Sequence, residues 1–192
     1  MYFAGAYEDM NALLRGADEQ LSGHRADRIK RSIKEITEDT KPLLEDWETY
    51  RAMPDAHGDI ARDLFHCLET GDHYVDGGFV STSANIEVTI PFAGRARTKY
   101  PPILLQVRTA KGNYALVDNM EELEMVLPPG TKFKVTDYRG PLDLEASQMS
   151  DFIDIGETAK FGHTFVVETV ANDLDTVLGA VAKNVDRNFR LP

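Results

Sequence analysis

The stretch Glu121-Glu122-Leu123-Glu124-Met125-Val126-Leu127-Pro128-Pro129-Gly130-Thr131-Lys132-Phe133-Lys134-Val135 reads as a strand, a tight turn and a second strand. Leu123, Met125 and Leu127 alternate with Glu122, Glu124 and Val126. Strand side chains alternate faces with a period of two. Glu122 and Glu124 therefore share a face, roughly 6 to 7 Å apart along the strand. Pro128-Pro129-Gly130 breaks the strand, and Lys132 restarts it. Two carboxylates on one face repel each other unless a cation or a hydroxyl compensates. A fold has little structural use for such a pair, so it marks a candidate site. The competing reading is the solvated face of an edge strand in an acidic protein.

The acidity is real. The chain has 192 residues, a net charge of −11 and 42% hydrophobic residues. That size suits a single domain over 1–192 with a genuine core. The charge argues against nonspecific nucleic-acid binding, which needs a basic footprint, and against anionic membrane surfaces. The single cysteine, Cys67, rules out an intrachain disulfide and reads as a small buried apolar group. The five histidines show no metal-ligand spacing, so no metal site is expected. Met1 to Gln20 lacks the long apolar run of a signal peptide. The expected location is the cytoplasm, or the cytosol of a target cell after delivery.

Outward from the central stretch, the N-terminal part predicts a helical lead-in over 1–42. Met10, Leu13, Leu14, Ala17 and Leu21 share one helical face, and Ile29, Ile33 and Ile36 share another between Ala26 and Asp39. Pro42 ends the helical region. Leu43 to Arg51, with Trp47, Thr49 and Tyr50, favours a strand. Ile60 to Leu68 predicts a third helix, stopped by Gly71. Asp76-Gly77-Gly78 is a turn, and Phe79 to Ala84 a strand with Ser81 and Ser83 on one face. Asn85 to Lys99 lacks periodicity and reads as a loop. It carries Phe92, Arg95 and Arg97, a local cationic segment suited to a phosphate-bearing ligand. Strands follow at Ile103 to Arg108 and Tyr114 to Val117. The motif core spans 43–140. The remainder, 141–192, reads as an irregular acidic connection to about residue 160, a strand at Phe165 to Val170 and a helix at Leu174 to Val185. No chemical role is visible there.

Tyr50-Arg51, Gly78-Phe79-Val80-Ser81-Thr82-Ser83 and Glu122-Leu123-Glu124 occur in that order, each on a predicted strand. This resembles the Arg–Ser-Thr-Ser–Glu-x-Glu class of mono-ADP-ribosyltransferases, the class of clostridial binary toxins and phage transferases. The resemblance covers roughly residues 47 to 136. Phe92 and Arg95 also fall where that family's phosphate–nicotinamide loop has an aromatic residue and an arginine. The resemblance implies an α+β fold, with N-terminal helices followed by two roughly orthogonal mixed β-sheets around an NAD cleft. It implies a glycosyltransferase that consumes NAD, needs no metal and modifies a target protein. Glu124 would stabilise the cation developing on the ribose, with Ser81 holding it. Glu122 would act on an arginine acceptor. Arg51 and Arg95 would bind phosphate, Thr82 and Ser83 would complete the NAD-binding set, and Phe92 would pack beside nicotinamide. Ala52, Gly78, Asn119 and Met120 depart from residues that some members carry. Two further readings stay open, an NAD glycohydrolase on the same fold and a catalytically silent binding or virion-associated module.

Overall fold

The computed structural model of the chain describes residues 10–12, 14–15, 23–55, 57–93, 99–118, 124–149, 153–173, 175–176 and 178–179. Residues 10–12 and 14 are helical. Then come α1 (Gly23–Asp39), β1 (Lys41–Pro42), β2 (Trp47–Met53), α2 (Asp59–Thr70), β3 (His73–Val75) and β4 (Val80–Ser83). A 3-10 turn (Ile86–Thr89) leads into the short α3 (Ile90–Ala93). The rest is strand: β5 (Ile103–Thr109), β6 (Tyr114–Asp118), β7 (Glu124–Leu127), β8 (Lys132–Glu145) and β9 (Thr158–Thr169). Among the described residues no helix is long and apolar enough to cross a membrane.

The strands hydrogen-bond in the order β1-β6-β7-β4-β2-β5-β9-β8-β3. All described pairings are antiparallel except β5 with β9. The expected two sheets are therefore two halves of one hydrogen-bonded order. They meet at a single β2–β4 residue pair, Tyr50 with Ser83. Everywhere else β2 is committed to β5, over seven pairs. A seam held by one pair leaves backbone on both sides free to splay. Arg51 of β2 and Ser81 of β4 flank that seam.

Three apolar clusters fix the halves. Ile29, Ile33 and Ile36 of α1 pack with Met10 and Leu14 on Phe79 and Val126, beside β4 and β7. Leu64 and Cys67 of α2 pack on Met53, Val107, Phe133 and Phe165. Ile90 and Ala93 of α3 pack on Leu104, Ala146, Ile153 and Phe161. Each fully buried Leu, Ile or Phe contributes about 1.5–3 kcal/mol of transfer free energy. The helix boundaries have local causes. The Gly58 backbone at the start of α2 lies in the left-handed region and no side chain there caps it, so Asp55 Oδ1 accepts from Ile60 N at 3.3 Å instead. Gly71 ends α2 with φ 78°, its N–H donating to Cys67 O at 2.9 Å. Burial pushes the Cys67 thiol up, which suits a packed rather than a reactive side chain.

Two sequence expectations are corrected. Residues 141 to 160 are not an irregular connection. β8 continues to Glu145 and β9 starts at Thr158, so the two form a long hairpin. Leu142 and Leu144 are half-buried and alternate with exposed Asp143 and Glu145, as a strand requires. Gly140-Pro141 reads as a stop, yet Gly140 still pairs with Thr164, and the register shift between Gly140 and Leu142 takes up Pro141. Asn85 to Lys99 is not wholly loop either. Asn85 Oδ1 accepts from Glu87 N at 3.0 Å and opens the 3-10 turn, and α3 follows. Smaller shifts occur at β2, which begins at Trp47 rather than Leu43, and at Pro42, which pairs with Tyr114 in β1. The predicted C-terminal helix is described only at 175–176 and 178–179.

Candidate active site

The site begins with β4 beside β7. Ser83 pairs with Glu124, Thr82 with Met125, Ser81 with Val126 and Val80 with Leu127. Paired residues share a face, so Ser81, Ser83 and Glu124 lie together. Ser81 Oγ donates a hydrogen bond to Glu124 Oε1. From across the seam, Arg51 Nη1 of β2 donates to Ser81 O at 2.8 Å. Three residues spread over the chain thus form one contact series, Arg51 to Ser81 to Glu124. Glu124 accepts, Ser81 orients it, and Arg51 fixes the Ser81 backbone.

Arg51 has capacity left. Its Nε is buried and has no hydrogen-bond partner among the described residues. Leaving a buried donor unmade costs about 1–3 kcal/mol, more for a charged group. An anionic ligand entering the seam would supply the missing acceptor. The Tyr74 phenol lies in the same electrostatic neighbourhood. Burial pushes it up to about 12, with Asp76 adding to the shift and Arg15 and Arg51 opposing it. Tyr74 therefore stays a neutral phenol at neutral pH.

The other expected site residues divide. Thr82 turns to the opposite face, is 3% exposed, and donates its hydroxyl to Met125 O at 2.9 Å. This bond ties β4 to β7. Ser83 is buried, and its Oγ accepts from Asn85 N at 3.0 Å, shaping the turn into the 3-10 segment. Phe92 stands on α3 and is 50% exposed. Glu122 and Arg95 lie outside the described residues. Sequence spacing gave no sign of Asp76, Tyr74, Asn11 or Arg15. Their partners are far apart in the chain, as in the Arg15–Asp76 ion pair. Among the described residues no group of three or more His, Cys, Asp or Glu could hold a metal ion.

Arg51, Ser81 and Glu124 thus converge from β2, β4 and β7 on one place in the sheet. The chain belongs to the ADP-ribosyltransferase exoenzyme family, whose sequence model matches residues 1–153. Enzymes of that family are NAD-dependent mono-ADP-ribosyltransferases. Solved structures share the fold. ADP-ribosyltransferase HopU1 of Pseudomonas syringae pv. Tomato DC3000 is 17% identical, with a TM-score of 0.52 over 85% of this chain and 65% of that one. The Vis toxin from Vibrio splendidus is 22% identical, with a TM-score of 0.57 over 87% and 68%. The enzymatic component C2-I of the Clostridium botulinum C2-toxin is 15% identical, with a TM-score of 0.56 over 88% and 42%. The chain thus spans less than two thirds of HopU1 and under half of C2-I. No curated protein sequence matches it.

Proposed function

We propose that this chain transfers ADP-ribose from NAD to an arginine side chain of a target protein and releases nicotinamide. The observation that carries the proposal is the Ser81–Glu124 hydrogen bond, with Arg51 bonded to the Ser81 backbone. NAD is consumed as a substrate. Its bond between nicotinamide and ribose breaks with the electron pair leaving on nicotinamide, and positive charge develops on the ribose. Glu124, fixed by Ser81, places a carboxylate beside that charge, an arrangement that costs no reorganisation at the moment of reaction. Arg51 uses its unmet Nε donor on the diphosphate. Half-exposed Phe92 on α3 offers an apolar face to nicotinamide. Arg95 is assigned as a second phosphate clamp and Glu122 as the acceptor-side carboxylate, both from their place in the sequence.

The arginine acceptor rests on Glu122 and on one relative. The Vis toxin has been solved in complex with agmatine, a small guanidine, and shares this fold with a TM-score of 0.58 at 21% identity. A guanidinium is protonated at neutral pH and is a poor nucleophile. It needs a carboxylate to orient the fork and take a proton as its nitrogen bonds to the ribose carbon. Incubation with NAD and agmatine, followed by mass spectrometry, tests the proposal. The expected result is an ADP-ribosylated agmatine with an equal amount of free nicotinamide. Nicotinamide and free ADP-ribose without adduct would assign the chain to the glycohydrolases.

Arg51→Ala is expected to weaken NAD binding by about 2 kcal/mol, the scale for a lost hydrogen bond to a charged group. Isothermal calorimetry measures it. Equal affinity for the variant and the parent would return Arg51 to a purely structural role on the Ser81 backbone.

A further inference from the structure

Asp76 belongs to none of the motifs, yet it joins the two strands that carry Ser81 and Glu124. It is 4% exposed. Its carboxylate accepts Arg15 Nε at 2.9 Å, Arg15 Nη2 at 3.1 Å and Gly78 N at 2.9 Å. Its backbone faces a third segment: Asp76 N donates to Thr131 O at 3.3 Å, and Asp76 O accepts from Gly130 N at 2.8 Å. One residue therefore ties together Arg15, the glycine turn leading into β4, and the Pro-Pro-Gly turn leaving β7. Asn11, 3% exposed, adds a second tie, its Oδ1 accepting from Phe79 N at 2.7 Å. Phe79 stands two residues before Ser81. The fit is close. A Cβ on Gly78 would lie 2.4 Å from Asn11 Oδ1 and 3.2 Å from Arg15 Cζ.

We infer that Asn11 and Arg15 are positioning residues for the dinucleotide side of the site, acting through Phe79 and Asp76 on the backbone that presents Ser81 to Arg51. The bidentate fork on Asp76 fixes direction as well as distance. Asp76 in turn holds the Gly78 N–H, so the approach of β4 to the seam follows the place of Arg15. The inference rests on the proposed use of Arg51 and Ser81 toward NAD. Its consequence is specific: the bonds named are made to the turns that lead into β4 and leave β7, so loosening the tie harms NAD capture.

The test is steady-state kinetics with NAD and agmatine on the full chain. Arg15→Gln is expected to raise KM for NAD by about tenfold, with the agmatine KM little changed. Gly78→Ala, which collides with Asn11, is expected to shift KM the same way. Arg15→Lys keeps the charge but loses the fork, and about a threefold rise is expected; it carries the comparison if Arg15→Gln does not fold. A merely structural role has another signature. Partial unfolding lowers apparent kcat at constant KM, and that result, or an unchanged KM in all folded variants, would overturn the inference. If the parent itself releases no nicotinamide from NAD, the reading of Arg51 and Ser81 fails first, and the inference with it.

Discussion

Glu124→Gln is expected to cut nicotinamide release from NAD by at least about a hundredfold, the scale for removing one preorganised electrostatic stabiliser. Glutamine keeps the length of the side chain and a carbonyl oxygen that can still accept from Ser81 Oγ, where Glu124 Oε1 accepts now. The pairing of residue 124 with Ser83 is a backbone property and survives the change. What the variant loses is charge. NAD affinity should stay within a few-fold of the parent, because Arg51 and its Nε donor are untouched. The two readouts separate the roles, with chromatography following nicotinamide and calorimetry following binding. Wild-type turnover in Glu124→Gln would remove Glu124 from the mechanism.

The second large effect concerns Glu122, which precedes Glu124 by two residues and lies outside the described ones. Glu122→Gln should lower transfer to agmatine by about a hundredfold, the lower end of what a positioned acid or base contributes. NAD hydrolysis should persist, because water needs no carboxylate to orient a guanidinium fork. The ratio of transfer to hydrolysis is therefore the decisive quantity, and it can be read in one reaction by mass spectrometry. A ratio equal to the parent's, or modification mapped to a residue other than arginine, would show that Glu122 does not select the acceptor.

How much of this was legible in the sequence depends on the range of the interaction. Arg51, Ser81 and Glu124 could be named because together they match the Arg–Ser-Thr-Ser–Glu-x-Glu order that the chain resembles. Alternation also placed Ser81 and Ser83 together, and the register confirms that shared face. The same alternation turns Thr82 away, although adjacency in the motif had grouped it with its neighbours. α3 was missed because four residues are too few to show helical periodicity; Asn85 as cap and Pro91 within the first turn were the available signals. The β8–β9 hairpin was missed because Gly140-Pro141 outweighed the alternation of Leu142 and Leu144. Asp76 looked like an ordinary turn residue. No local pattern says that a carboxylate in a glycine turn will meet an arginine just after an N-terminal helical segment.

The parallel pairing of β5 with β9 carries a consequence for how the molecule is made. Ile103 pairs with His163 and Arg108 with Glu168, so β5 waits for chain synthesised long after it. β9 joins the β8–β3 pair to β5 in the strand order. One half of the sheet therefore closes after residues 158–169 leave the ribosome, when the strands carrying Ser81 and Glu124 are already available to each other. Non-local pairing of this kind slows folding, because loop entropy is lost before contacts compensate. Stopped-flow refolding should accordingly show formation of the Arg51 side of the seam on the milliseconds-to-seconds scale typical of strand-rich domains. A microsecond phase that recovers NAD binding in full would contradict that order of assembly. During synthesis the nascent chain can hold Arg51 against Ser81 before β9 arrives to close the sheet beyond β5.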